Sequence, residues 1–353
     1  MYVVSQCESM VEIGNVLIGK DEPICISAEV GTTANGDIYT ALKLIEVAKQ
    51  SGMNLVKFQF IDCDDFMRDK DTEEYEYETA DGPKKENMYQ MLKKLQFTPD
   101  EWRKIAKHCR KNDIPFCLSV DSIRSVVVGE GLGVAAYKIG SWDLRNYPLI
   151  KAIALTDKPI MIDLGPAILG EVVNVINEIE KDNDQIILVH CSHAKDEGIN
   201  MRTIPYIHET FEIPVGYSAD TRDIVPDIMA VGMGVNLIEK RLTLNIEDSG
   251  HHHIKAMEPL EMIRYVETIR RAEKMIGEYE IRPSLEDLGI KNKYFTSLVA
   301  DTDIPKGTII TPDMLAARRP GNGVSPFYQD RFYGRNATRD IKKNEDVVWG
   351  DAE

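Results

Sequence analysis

Eight short apolar runs recur along the first three quarters of the chain, and amphipathic stretches separate them. The runs occupy residues 23–31, 55–60, 114–120, 135–140, 159–164, 186–191, 214–218 and 237–243. They are continuous and rich in Val and Ile, as parallel strands buried on both faces must be. Helical patterns fall between them, for example at 39–51, 100–111, 168–181 and 259–276. In the first of these Ala41, Leu44, Ile45, Val47 and Ala48 share one helical face. Eight strand–helix units in roughly 260 residues predict a (β/α)₈ TIM barrel. An open doubly wound sheet is the alternative, but no Gly-x-Gly-x-x-Gly turn follows the first run.

Two regions break the rhythm. Residues 62–86 form a long acidic connection after the second run, holding Tyr75 and Tyr77. Long loops in compact domains are commonly lids, and this one leaves a barrel strand. After residue 277 short segments are divided by Asp, Pro and Gly, which predicts a small turn-rich domain. The expected division is a barrel over 1–277, a linker over 278–294 with one short helical turn, and a small domain over 295–353.

Composition narrows the partners. The formal net charge of −16 argues against a nucleic-acid surface and against anionic membranes. An anionic substrate would need a local positive pocket. The six cysteines (Cys7, Cys25, Cys63, Cys109, Cys117 and Cys191) form no Cys-x-x-Cys pair, and several lie inside apolar runs. Buried free thiols in a cytoplasmic protein are the expectation. Glu8 and Glu12 interrupt the opening residues, so no signal peptide is expected, and without a run of eighteen apolar residues no transmembrane span is expected.

A barrel carries its chemistry at the C-terminal ends of its strands. Those ends supply Glu29, Lys57, Gln59, Ser119, Lys138, Ser141, Asp143, Asp163, His190, His193, Ser218, Asp220, Glu239 and Arg241. Lys57, Lys138 and Lys240 sit in otherwise apolar runs. A charge on a buried strand is costly unless paired or functional. Lysines and hydroxyls converging on one mouth suit a phosphate or a carboxylate. The competing reading is that these lysines form interior ion pairs with Glu29, Asp163 or Glu239.

The order and spacing of several segments resemble the sialic acid synthase family, the NeuB-type synthases of sialic and related nonulosonic acids. They are Ala28-Glu29-Val30-Gly31, Val56-Lys57-Phe58-Gln59, Tyr137-Lys138-Ile139-Gly140-Ser141, Gly216-Tyr217-Ser218, Ile238-Glu239-Lys240 and, near the end, Arg318-Arg319-Pro320-Gly321-Asn322-Gly323. The tail resembles that family's antifreeze-like SAF domain. The resemblance implies condensation of phosphoenolpyruvate with the open-chain aldehyde of an N-acyl hexosamine or another aldose, giving a 3-deoxy-2-ulosonic acid and phosphate. Carried over by position, Lys57, Ser119, Lys138, Ser141 and Ser218 would hold phosphoenolpyruvate. Glu29, Gln59 and Asp143 would face the sugar or manage protons. Asn87, His193, Lys195 and His253 would meet the sugar. Arg319 would reach the barrel of a partner in a domain-swapped homodimer.

The departures concern charge. Where the family has two histidines on a divalent metal, this chain has Asp220 and Arg241. Arginine has no lone pair to give a metal. Asp163 stands where serine is usual, and Trp142 where a small residue is usual, which suggests a differently shaped acceptor. Three accounts follow. Arg241, held by Asp220, polarises the aldehyde without a metal. Alternatively Mn²⁺, Mg²⁺ or Zn²⁺ sits in a rebuilt shell of Asp220 with His193 or one of His251, His252 and His253. Or the pair is structural, in a non-catalytic barrel–SAF protein that binds an anionic metabolite. An aldolase using Lys57 or Lys138 as a Schiff base is a further alternative.

Overall fold

The computed structural model describes residues 9–194 and 196–353. It divides into two compact units, 1–277 and 278–353. The first opens with a small antiparallel hairpin, β1 (Val11–Ile13) and β2 (Val16–Ile18). Then come β3 (Cys25–Glu29), β4 (Leu55–Gln59), an inserted hairpin of β5 (Glu74–Thr79) and β6 (Gly82–Asn87), and β7 (Phe116–Val120). β8 (Ala136–Ile139), β9 (Ile160–Asp163), β10 (Ile186–Ser192), β11 (Val215–Ala219) and β12 (Leu237–Arg241) follow. Eight of these close a parallel barrel in the order β3-β4-β7-β8-β9-β10-β11-β12. Each of the eight apolar runs coincides with one barrel strand to within a residue or two. A helix follows every barrel strand, from Ile38–Gln50 after β3 to Pro259–Ile276 after β12.

Alternation along the strands sorts side chains into two cores. Outward residues pack under the helices: Phe58 meets Phe97, Trp102 and Phe116 edge to face, with ring centroids 5.9–6.4 Å apart. The helix Ile38–Gln50 buries Ala41, Leu44, Ile45, Val47 and Ala48, the face its sequence marks. Inward residues form a separate cluster, with Cys25, Leu55, Cys117, Ala136, Met161, Ile187, Val189 and Leu237 from the barrel strands. Val11, Ile13 and Ile18 of the first hairpin pack onto this cluster and floor the barrel. One step further along each strand comes the layer that carries charge.

The connection at 62–86 contains structure the sequence reading did not foresee. Its two strands pair from Glu74↔Asn87 to Thr79↔Gly82. Tyr77, Met91 and Leu95 bury with Ile61 in a satellite core. In the second unit β13 (Ser297–Ala300) pairs antiparallel with β14 (Leu315–Arg318), around Leu298, Ile304, Ile310, Phe332, Ile341 and Val347. The segment read as a linker with a single turn holds a ten-residue helix, Leu285–Tyr294, capped by Ser284. Capping by a side-chain oxygen starts a helix whose residues are all solvent-facing, where apolar periodicity gives little signal. The described cysteines (Cys25, Cys63, Cys109, Cys117 and Cys191) are buried and unpaired with one another. No helix is long and apolar enough to cross a membrane among the described residues.

Candidate active site

The upper layer of the barrel interior is built by register. Arg241 pairs across to Glu29, Glu29 to Lys57, Ser119 to Lys138, and Ser218 to Glu239. Glu239 is the hub. Its Oε1 lies 2.8 Å from Lys138 Nζ and 3.6 Å from Lys57 Nζ, and accepts from Ser218 Oγ at 3.3 Å. Lys57 also donates to Glu29, whose other oxygen accepts the Gly31 amide at 2.8 Å. Lys138 lies 2.9 Å from Asp163 Oδ1. The interior ion pairs expected as a competing reading are therefore formed, and they lie at the mouth where a phosphate site was expected. Burial pushes the Lys138 ammonium down, but Asp163 and Glu239 outweigh it and hold the group above its ordinary value. Burial likewise opposes the Glu239 carboxylate, yet Lys138 and Lys57 hold it down at about 2.

Lys240, the third lysine in an apolar run, points the other way. It meets Asp227 at 2.6 Å, with both side chains fully buried, and its Nζ lies 5.3 Å from the Tyr265 ring centroid. It fastens the barrel to the outer helices.

A second charged group stands beside the first. Asp220 Oδ1 lies 3.2 Å from Arg241 Nε, and Oδ2 lies 2.5 Å from Lys255 Nζ. Burial raises the Asp220 carboxyl, but the two cations outweigh it and hold it below its ordinary value. The metal implied by the resemblance finds no fitting donor set here. Both oxygens of Asp220 are engaged by cations. His251 Nε2 lies 2.9 Å from Tyr75 Oη, His252 Nδ1 3.1 Å from Thr32 Oγ1, and His253 Nδ1 2.7 Å from Thr243 Oγ1. No group of three His, Cys, Asp or Glu residues is arranged to hold a metal among the described residues.

The inserted hairpin reaches this group. Tyr75, Glu76, Tyr77 and Glu78 face His251, His252 and Lys255 across a cavity of about 340 Å³. Lys255 thus joins the cavity wall to Asp220. His251 is pushed down to about 3 by burial and by the neighbouring Arg241.

The other candidates are dispersed. Gln59, Ser119, Ser141 and Asp143 stand at the rim, Gln59 exposed and the rest half-buried. His193 stacks on exposed Trp142 at 5.6 Å between centroids. His190 is buried, with Nε2 2.8 Å from the Ile199 carbonyl. Asn87 caps the helix Met88–Lys93, and its amide donates to the Lys70 and Asp71 carbonyls. His253 is wholly buried. Arg319 is in the second unit, its guanidinium 5.7 Å from the Tyr294 ring centroid. Lys195 lies outside the described residues.

Two functional candidates do not stand out in the sequence. Lys255 lies on the short 3₁₀ turn His253–Lys255, beyond the strand-end rule. Asp121 directly follows the third run, one place past the last residue considered. Burial, then Asp143, raises its carboxyl to about 7, and its Oδ1 is buried without a hydrogen-bond partner.

Comparison with known proteins gives the family and agrees with the barrel fold. The sequence profile described as the NeuB family matches residues 44–280, and that of the SAF domain matches residues 295–353. An N,N'-diacetyllegionaminic acid synthase of Campylobacter jejuni is 32% identical over 91% of this chain and 97% of its own length. A synthase of the same name from Legionella pneumophila is 30% identical, covering 92% of this chain and 93% of its own. The crystal structure of a spore coat polysaccharide biosynthesis protein from Bacillus subtilis superimposes with a TM-score of 0.64 at 25% identity, covering 98% of this chain and 99% of that one.

Proposed function

The chain belongs to the NeuB family, and from that premise we propose that it is a carbon–carbon bond-forming transferase that condenses phosphoenolpyruvate with an aldose. The product is a nonulosonic-type 3-deoxy-2-ulosonic acid. The observation that carries the reading is the convergence of Lys57 and Lys138 on Glu239 at the C-terminal end of the barrel interior. Ser119 and Ser218 on strands β7 and β11, and Ser141 on the short turn after β8, would serve as hydroxyl donors.

In this reading C3 of phosphoenolpyruvate bonds to the aldehyde carbon, and the carbonyl electron pair moves onto its oxygen. Arg241, oriented by Asp220, faces that developing charge. A preorganised guanidinium stabilises an oxyanion because it needs no reorganisation as charge develops. Water adds at C2 and gives up a proton, and the C2 hydroxyl so formed passes its own proton to the phosphate as the C–O bond breaks and C2 becomes a ketone. Glu29 and Asp143 carry the first proton from the water to the aldehyde oxygen, while Gln59, whose amide does not titrate, faces the sugar. No step passes through a metal. The Trp142–His193 platform and the cavity beneath the inserted hairpin would accommodate the distal part of the sugar. The same reading takes the protein as a homodimer in which Arg319 serves a partner's site.

The test is inorganic phosphate release from phosphoenolpyruvate with a panel of N-acyl mannosamines, other aldoses and aldose phosphates, each in Mn²⁺ and in EDTA. Aldose-dependent release that survives EDTA is expected. Release only with Mn²⁺ would overturn the metal-free centre. Binding without release for every acceptor would favour the non-catalytic reading, toward which the fully paired Asp220 also points.

A further inference from the structure

In the phosphate subsite three carboxylates (Glu29, Asp163 and Glu239) face two ammonium groups (Lys57 and Lys138) in one connected cluster. All five side chains are between 3% and 15% exposed. Each lysine already lies between two carboxylates. A phosphate dianion entering here would add negative charge to a buried cluster whose two ammonium groups are each already shared by two carboxylates, and whose bordering cation, Arg241, is shared between Glu29, Glu239 and Asp220. Buried charge of one sign is costly unless it is paired or neutralised.

Among the three carboxylates Asp163 is the weakest held. Glu29 has Lys57 and the Gly31 amide; Glu239 has both lysines and the Ser218 hydroxyl. Asp163 has Lys138 alone, with the ammonium 2.9 Å from its Oδ1. The groups facing it are Lys138 from β8, Cys191 from β10, Glu239 from β12 and Lys57 from β4. Cys191 is kept a neutral thiol, pushed up to about 12 by burial and then by Asp163. It therefore adds no charge that could balance the ligand.

We infer that a phosphorylated ligand enters the Lys57–Lys138 pocket together with one proton, which Asp163 takes. The inference rests on reading the two lysines as the phosphate subsite. A protonated carboxyl is neutral and offers one O–H, so it turns from a repelling acceptor into a hydrogen-bond donor to phosphate. Its neutralisation also releases Lys138 from one of its two partners. The proton comes from solvent on binding and returns to it on release. Burial, opposed by Lys138 and reinforced by Glu239, raises the Asp163 carboxyl in the same direction.

The sign of the pH dependence follows. The binding-competent form is protonated, so affinity falls as pH rises above the value at which Asp163 ionises in the free site. The slope approaches about tenfold per pH unit. Isothermal titration of phosphoenolpyruvate into the full-length chain, near pH 8 in buffers of different ionisation enthalpy, counts the protons directly. Uptake of about one proton per ligand is expected for the wild type, and about zero for Asp163→Asn and Asp163→Ser. Equal uptake in all three would overturn the inference and leave the phosphate subsite standing. Binding by the variants but not by the wild type would mean that Asp163 excludes the anion, which also overturns it. Absence of binding in all three would remove the subsite itself, and the inference with it.

Discussion

Lys138 Nζ and Glu239 Oε1 stand 2.8 Å apart across the barrel, joining the fourth and the eighth strands of the closed sheet. The pair is both a cross-brace and the centre of the candidate phosphate site. Substitutions there should therefore disturb stability and activity together. Lys138→Ala should lower phosphate release by about 10²–10³-fold, as loss of a preorganised charge does. It should also lower the thermal midpoint, because Asp163 and Glu239 then face one another. A variant with full turnover would contradict the role given to Lys138.

Lys240 and Asp227 offer the converse. Their 2.6 Å pair is equally buried but lies outside the barrel interior. Asp227→Ala should cost about 3–5 kcal/mol by stranding a buried ammonium. Michaelis constants for both substrates should stay unchanged at a temperature where the variant is folded. Chemical denaturation and steady-state kinetics on one preparation would separate the two pairs.

Arg241→Ala should reduce kcat by about 10²–10³-fold while leaving phosphoenolpyruvate binding nearly intact. The double substitution Asp220→His with Arg241→His replaces the ion pair by two imidazoles. It should acquire Mn²⁺ binding, measurable by electron paramagnetic resonance without turnover. Failure of the double variant to bind Mn²⁺ would mean that more than these two residues separates the site from a metal centre.

Acid should weaken the contact between the inserted hairpin and the barrel. His251 is held near 3 in the folded chain, against an ordinary value of about 6.5. Between those values the unfolded chain binds the proton and the folded chain does not. The contribution is thus complete above about pH 6.5 and is lost as pH falls toward about 3. His251→Gln, which keeps a polar partner for Tyr75, should show a shallower decline in urea midpoint between about pH 7 and about pH 4.5. Parallel declines would show that His251 does not govern the acid limb.

Trp142→Ala should raise the Michaelis constant for the aldose and leave that for phosphoenolpyruvate unchanged, since its indole stacks on His193 at the rim. A change confined to phosphoenolpyruvate would move the acceptor elsewhere.

The barrel was legible because burial on both faces makes each strand a continuous apolar run, and eight such runs admit few closures. The lysines were legible for the same reason, since a charge inside such a run stands out. Their partners were less so. Register decides whether a strand residue faces in or out, and it separates Lys138 from Lys240 although both interrupt apolar strands. Tyr75 comes from the inserted hairpin and Lys255 from the short 3₁₀ turn His253–Lys255, outside the strand–helix period that links sequence to position in the barrel. The β5–β6 hairpin escaped notice because its strands are acidic, basic and tyrosine-rich, with only Tyr77 buried. The helix Leu285–Tyr294 buries no residue, so its apolar positions carry no facing pattern.

The first hairpin has a consequence for how the protein can be handled. Val11, Ile13 and Ile18 lie against the interior cluster at the N-terminal ends of the strands. A chain trimmed to begin at Pro23 would keep every charged side chain of the mouth. It would also uncover Cys25, Cys117 and Met161 from below, letting water and oxidants approach the lysine cluster from the side opposite to substrate entry. Thiol-reactive probes would then label Cys25 and Cys117, which in the intact protein are fully buried.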